Sequence, residues 1–341
     1  MVDTYRLITS TPRDVRVDPR SNAAVVKGAF NKPRAFVDAV LKERQRLVDI
    51  DGWMETVLQF NTNKKKYLYM YRNKLNVIIK ALASAPKNGV PASLFGPSRG
   101  AVSELYESEV RRVHGDRAFV LPFTLYSDGL VLPNSGAYSA HPLRVRLDCL
   151  DPDKHSIGAI PQVFTELGPG ASEQATAARR EVLQRSINVA LRELFVASHD
   201  GVEVDLGKDG KWLAFLRLVC YSCDYPEGRT VLCLKGVGCT HLCSSCMVRL
   251  SEAGHEASSS AEPRNAGETV TAQMAAMDLA ASPVRGSAAE RERLRDMYSC
   301  NPLPPALAVM AVIATPPDFL YRIVGFDRLH VRRSSLSSCT C

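Results

Sequence analysis

Five side chains within CLKGVGCTHLCSSCMV, those of Cys233, Cys239, His241, Cys243 and Cys246, are of the types that bind zinc. Cys243 and Cys246 form a CxxC, a spacing that lets two thiolates approach one ion from a single tight knuckle. A second CxxC, Cys220 and Cys223, lies upstream with 19 residues between the pairs, within the span of a four-cysteine zinc ribbon. Strand geometry opposes that set: if 216–224 is one strand, Cys220 shares a face with Ser222 and Asp224 while Cys223 points the other way. What remains is a zinc half-site at Cys243 and Cys246, completed by Cys239, His241 or a distant residue, against the alternative of buried free thiols. A redox CxxC fits less well, because no helix start follows it.

Two carboxylates form the other constellation. Asp128 ends the apolar run RAFVLPFTLYSDG, which reads as a buried strand with a functional tip. Asp224 stands where the apolar stretch WLAFLRLVC and its continuation YSC stop, just before Pro226. The bland reading makes Asp128 a turn former before Gly129 and Asp224 the cap of a turn. Between the two acids, SAHPLRVRLDCL alternates Leu143, Val145 and Leu147 with Arg144, Arg146 and Asp148, so it predicts a half-buried strand paired in a hairpin with the first. A third strand is expected over 160–164. It is followed by a long helix with Ser172 as N-cap and an inner stripe of Val182, Leu183, Ile187, Ala190, Leu191, Leu194 and Phe195. Strand, strand, strand, helix, strand, with acids at the first and last strands, is the order of a ribonuclease H-like core. There the acids meet at the sheet centre and hold divalent metal for in-line phosphoryl displacement.

Flanking segments are less informative. Residues 1–116 read as helical and basic: FVDAVLKERQRLVDI has helical apolar spacing, and 63–85 sets Lys64, Lys65, Lys66, Arg72, Lys74 and Lys80 among Tyr67, Tyr69 and Tyr71. That second segment would contact phosphates and stack on bases, or be a solvated helix face with buried tyrosines. Residues 251–287, rich in Ser, Ala, Glu and Gly, read as a flexible linker. The remainder, 288–341, reads as a helical remnant that includes GFDRLHV with Asp327 and His330. The boundaries expected between these are a core at 117–232 and a cysteine-rich element at 233–250.

In its 341 residues, 45% hydrophobic and 23% charged, the chain has an ordinary globular composition, and no fixed-period repeat appears. Lys and Arg outnumber Asp and Glu by 43 to 36, a mild bias that permits nucleic acid without demanding it. The N-terminus lacks the apolar core of a signal peptide, so a reducing compartment is expected and the ten cysteines read as ligands or thiols. The longest apolar run, 306–314, is about half the roughly 20 residues a bilayer requires.

Taken in order from Phe119 to Val248, the motifs LPFTLYSDG, SAHPLRV, DGVEVDLGKDGKWLAFLRLVCYSCDYPEG and GCTHLCSSC resemble the transposases of the Plavaka type, related to the CACTA and Kyakuja/Dileera/Zisupton groups. GFDRLHV is similar to the family's aspartate-x-x-histidine element. The resemblance implies a mixed α/β, ribonuclease H-like DDE/D-type core that cuts and joins DNA with Mg²⁺ or Mn²⁺. It further implies flanking helices and a cysteine-rich insertion that would bind Zn²⁺. Asp128 and Asp224 would be the first two metal-binding acids, and Asp327 and His330 a structural element. The family's third acid is expected well beyond that element, whereas this sequence ends eleven residues after His330. A truncated, inactive protein is therefore expected, with Glu227 and Asp327 as poor substitutes for the missing acid. Nuclear residence, a DNA partner, a homo-oligomer, and neither membrane nor small-molecule substrate complete the expectation. The alternatives are a non-enzymatic zinc-stabilised DNA-binding or interaction module built on Cys220, Cys223, Cys243 and Cys246, and a decayed reading frame.

Overall fold

The computed structural model describes residues 15–17, 24–26, 53–59, 66–72, 75–76, 78–79, 82, 101–127, 130–131, 139–147, 155–160, 173–236, 238–252, 262–281, 284, 286–308, 320–321 and 323–326. Four strands come first: β1 Val15–Val17, β2 Ala24–Val26, β3 Trp53–Gln59 and β4 Lys66–Arg72. Helix α1 Ala101–His114 precedes β5 Ala118–Ser127, β6 Leu130–Val131, β7 Ser139–Leu147 and β8 His155–Ile160. Then come α2 Glu173–His199, β9 Val202–Asp205, β10 Lys211–Cys223 and α3 Tyr225–Val231. The described chain ends with α4 Ala266–Ala281, α5 Ser287–Met297 and β11 Val324–Phe326.

One mixed sheet carries most of these strands in the order β11-β10-β5-β7-β8-β4-β3, with β6 on β7 and β9 on β10. The expected hairpin is present as the antiparallel pair β5–β7, with Leu125 opposite Val145 and Ser127 opposite Leu143. After the α2 crossover, β10 returns parallel to β5, and β11 is parallel to β10. β5 is thus central, and its continuous apolar run follows from having both faces covered. Phe119, Leu121, Phe123 and Leu125 face the main core, where the whole predicted stripe of α2 is buried. Each such buried aliphatic or aromatic side chain is worth about 1.5–3 kcal/mol. Ala118 and Val120 alternate to the other face and meet Val110 of α1 and Phe215 of β10. The turn from α2 into β9 passes through Gly201 at φ 73°, where a Cβ would lie 2.9 Å from Leu213 Cγ, so the position excludes any side chain.

The structure corrects three local expectations. Within 63–85, residues 66–72 form β4, with helical backbone only from Leu75 onward, because Tyr67, Tyr69 and Tyr71 recur with a period of two and the strand pairs with β3 across its length. The third strand lies at His155–Ile160, ahead of 160–164, and pairs with β7 from His141 to Val145. Within the supposed linker 251–287, residues 266–281 form α4, which buries Ala266, Thr269, Ala272, Gln273 and Ala276. Small side chains that read as linker composition are there what lets a helix lie close against its neighbours. The helix expected in FVDAVLKERQRLVDI and the Ser172 cap lie outside the described residues. Among the described residues no helix is long and apolar enough to cross a membrane.

Candidate metal and nucleic-acid site

β5 and β10 run side by side with Leu125 beside Tyr221 and Tyr126 beside Ser222. β5 ends at Ser127 and β10 at Cys223, so Asp128 and Asp224 are the residues that directly follow two adjacent parallel strands. Carboxyl ends of parallel strands are where ligands of α/β sheets bind. Asp128 itself lies outside the described residues. Asp224 is half-buried and is the N-cap of α3: its Oδ1 accepts the Glu227 amide at 2.7 Å, with Pro226 in the first turn. The cap and a metal-binding role are compatible, because a carboxylate has about four lone-pair sites and the cap uses one. In donor chemistry a hard carboxylate here suits Mg²⁺ or Mn²⁺.

A bulge decides which side chains reach this end of the sheet. On β10, Ala214, Leu216 and Leu218 face the main core, and continued alternation would send Cys220, Ser222 and Asp224 there too. The register shifts between Leu218 and Cys220, inserting one residue, and Tyr221 and Cys223 take the core face instead. Cys220 and Cys223 therefore lie on opposite faces, and the four-cysteine site with Cys243 and Cys246 is not formed. Tyr221 is fully buried and donates from its hydroxyl to Glu227 Oε1 at 3.4 Å. Burial, with the Glu227 carboxylate next in weight, holds the phenol well above its ordinary pKa, so it stays a donor. The buried Ser127 hydroxyl lies beside it, outside hydrogen-bonding geometry.

Two buried arginines organise the cysteine element. Arg229 of α3, 2% exposed, donates through Nε to Lys235 O, through Nη1 to Leu242 O, and through Nη2 to His241 O and to Cys239 Sγ at 3.1 Å. Its guanidinium also sits 5.8 Å from the centre of the Tyr225 ring, whose hydroxyl donates to Leu242 O. Arg264, 1% exposed, donates to Tyr298 O and Cys243 O and packs over Tyr321. Buried amides hold the same turn from outside: Gln184 reaches Thr230 O and Val231 O, Gln273 reaches Leu232 O and Cys233 O, and Asn301 reaches Leu234 O. Sequence reasoning missed all five residues. A buried arginine or amide has no periodicity of its own, and its acceptors are backbone carbonyls, which every residue possesses.

Cys243 and Cys246 are brought together. Their mutual hydrogen bond is the largest influence lowering the Cys243 pKa to about 5; burial opposes it, while the Ser245 and Cys246 amides and the Arg264 charge add to it. Backbone amides aimed at the first thiolate of a CxxC are what a metal knuckle uses to stabilise charge on sulfur. Cys239 Sγ accepts from Arg229, and His241, 9% exposed, sets Nδ1 at 3.4 Å from Ser299 Oγ. Burial first, then Arg264 and Arg249, lowers the His241 pKa and keeps the imidazole neutral. Among the described residues no group of three or more His, Cys, Asp or Glu is arranged to hold a metal ion. The knuckle alone thus fits zinc as two thiolate donors. Asp327 and His330 lie outside the described residues, just after β11.

β10, α3, the cysteine element, α4 and α5 are thus tied together by buried side-chain hydrogen bonds within a mixed α/β protein. Residues 159–301 match the family model of Plavaka transposase, so over this segment the chain is similar to that family. No curated protein matches the chain. Asp224, Cys239, His241, Cys243 and Cys246 fall inside the matched segment; Asp128, Asp327 and His330 fall outside it.

Proposed function

We propose that the chain carries a transposase-derived, ribonuclease H-like core of the DDE/D type, with DNA as its partner in the nucleus. The observation that carries this reading is the parallel pairing of β5 with β10, each strand followed at once by an aspartate. Three consecutively antiparallel strands, a crossover helix and a parallel fourth strand beside the first support the same fold. Asp128 and Asp224 would hold Mg²⁺ or Mn²⁺, which when bound polarises a phosphoryl oxygen and activates a nucleophile for in-line displacement. The chain's own contribution is to aim Asp224 through the α3 cap and to keep the two acids at one sheet end. Cys243 and Cys246 would bind Zn²⁺ as a half-site beside α3, a structural role outside the reaction. The test is titration of Mn²⁺ into the full chain, followed by its electron paramagnetic resonance signal. Asp128→Asn and Asp224→Asn are each expected to abolish binding; binding unchanged in both would overturn the reading. For DNA, the affinity for duplex oligonucleotides should fall steeply with salt, and a slope near zero would argue against phosphate contacts.

A further inference from the structure

The proposed reading makes Asp224 a metal-binding acid but leaves open what fixes its direction beyond the end of β10. The geometry points to Tyr221 and Glu227 as positioning residues that set the Asp224 carboxylate, an inference that rests on that reading. Asp224 and Glu227 are the first and fourth residues of one capping turn. The Glu227 amide donates to Asp224 Oδ1 at 2.7 Å, so the orientation of the Glu227 backbone fixes one carboxylate oxygen of Asp224. The Glu227 side chain then reaches back to the sheet, where its Oε1 accepts the Tyr221 hydroxyl. Tyr221 is fully buried, and its backbone is paired on both sides, with Leu125 of β5 and Val324 of β11. The path therefore runs from β10 through a phenol to a carboxylate, through that residue's amide to the proposed metal-binding oxygen. The buried hydroxyl of Ser127, the residue that precedes Asp128, lies near the same phenol. Tyr221 thus refers the turn bearing one acid to the strand end bearing the other.

The bulge gives this arrangement a second, independent basis. Without the inserted residue Tyr221 would leave the core face and could not reach under α3, and bulges are devices that re-aim side chains beside functional sites. Supporting residues of this kind typically carry about 10- to 100-fold in metal affinity when removed.

The experiment uses the full chain with Mn²⁺ as probe, reading its dissociation constant and paramagnetic spectrum alongside the unfolding midpoint of the metal-free protein. Tyr221→Phe and Glu227→Ala are expected to weaken Mn²⁺ by about tenfold or more. Glu227→Gln retains both the amide and a side-chain acceptor for the phenol and should bind within about twofold of the parent. If Glu227→Gln loses as much as Asp224→Asn, Glu227 is itself a ligand and the positioning role is wrong. If Tyr221→Phe and Glu227→Ala bind as the parent does while Asp224→Asn does not bind, the positioning inference fails and the metal reading stands. If neither Asp128→Asn nor Asp224→Asn alters binding, both fail.

Discussion

The strand ends and the cysteine element lie on either side of α3 and are held in opposite ways. At the strand ends, position is set by backbone ladders: β5 is paired on both sides, and Asp224 follows β10 within one residue. Among the described residues of the cysteine element the pairing is by isolated bridges, at Leu234–Cys300, His241–Arg249 and Cys246–Pro263, supplemented by two buried guanidinium groups bonded to carbonyls. A ladder spreads its constraint over many residues, so single side chains there can be changed for chemistry. A loop fixed by two arginines concentrates its constraint, so the same change there unravels the unit.

The sharpest way to break this contrast is to remove one anchor. Arg229→Met should destabilise the protein by about 3 kcal/mol or more, since it removes the guanidinium donors from the carbonyls of Lys235, His241 and Leu242 and leaves them only the weak Cys239 thiol and, at Leu242, the Tyr225 hydroxyl. Denaturant unfolding that shows a loss under about 1 kcal/mol would mean that the element is held by something other than its arginines. At the strand end the corresponding cost is smaller: Asp224→Ala should lose about 1 kcal/mol through the missing cap, whereas Asp224→Asn, an equally good cap, should stay near the parent in stability. Equal losses in the two variants would show that charge, and not capping, dominates there.

The pH response separates the regions further. Cys243 has a folded pKa of about 5 against an ordinary value of 9.0, so its contribution to stability is fully present above about pH 9 and lost as the pH falls toward 5. Stability measured across that window should rise with pH in the parent more than in Cys243→Ala, and alkylation of Cys243 in chelator-treated protein should proceed well below pH 8. A flat difference between parent and variant would remove the thiolate from the picture. The smallest effect belongs to the link from the element to α5, where Lys235 Nζ meets Asp296 Oδ1 at 2.5 Å and Glu292 Oε1 at 2.9 Å. Asp296 is largely exposed, and Asp296→Ala should cost no more than about 1 kcal/mol by thermal denaturation in moderate salt.

Sequence alone determined whatever depends on local periodicity. The alternation of Leu143, Val145 and Leu147, the continuous run of β5 and the stripe from Val182 to Phe195 specified their elements and buried faces, because burial of one face selects one period. The CxxC spacing specified that Cys243 and Cys246 meet, since two intervening residues leave little freedom. What the tertiary structure decided were the non-local matters. The bulge between Leu218 and Cys220 exchanged the faces of Cys220 and Tyr221, and nothing in LRLVCYSC marks where one residue drops out of register with a strand a hundred positions earlier. Arg229 and Arg264 became anchors only because carbonyls from distant turns converged on them, and such acceptors carry no side-chain signature. Local patterns are written by neighbours in the chain, whereas register and the solvation of a buried charge are settled by residues that become neighbours on folding.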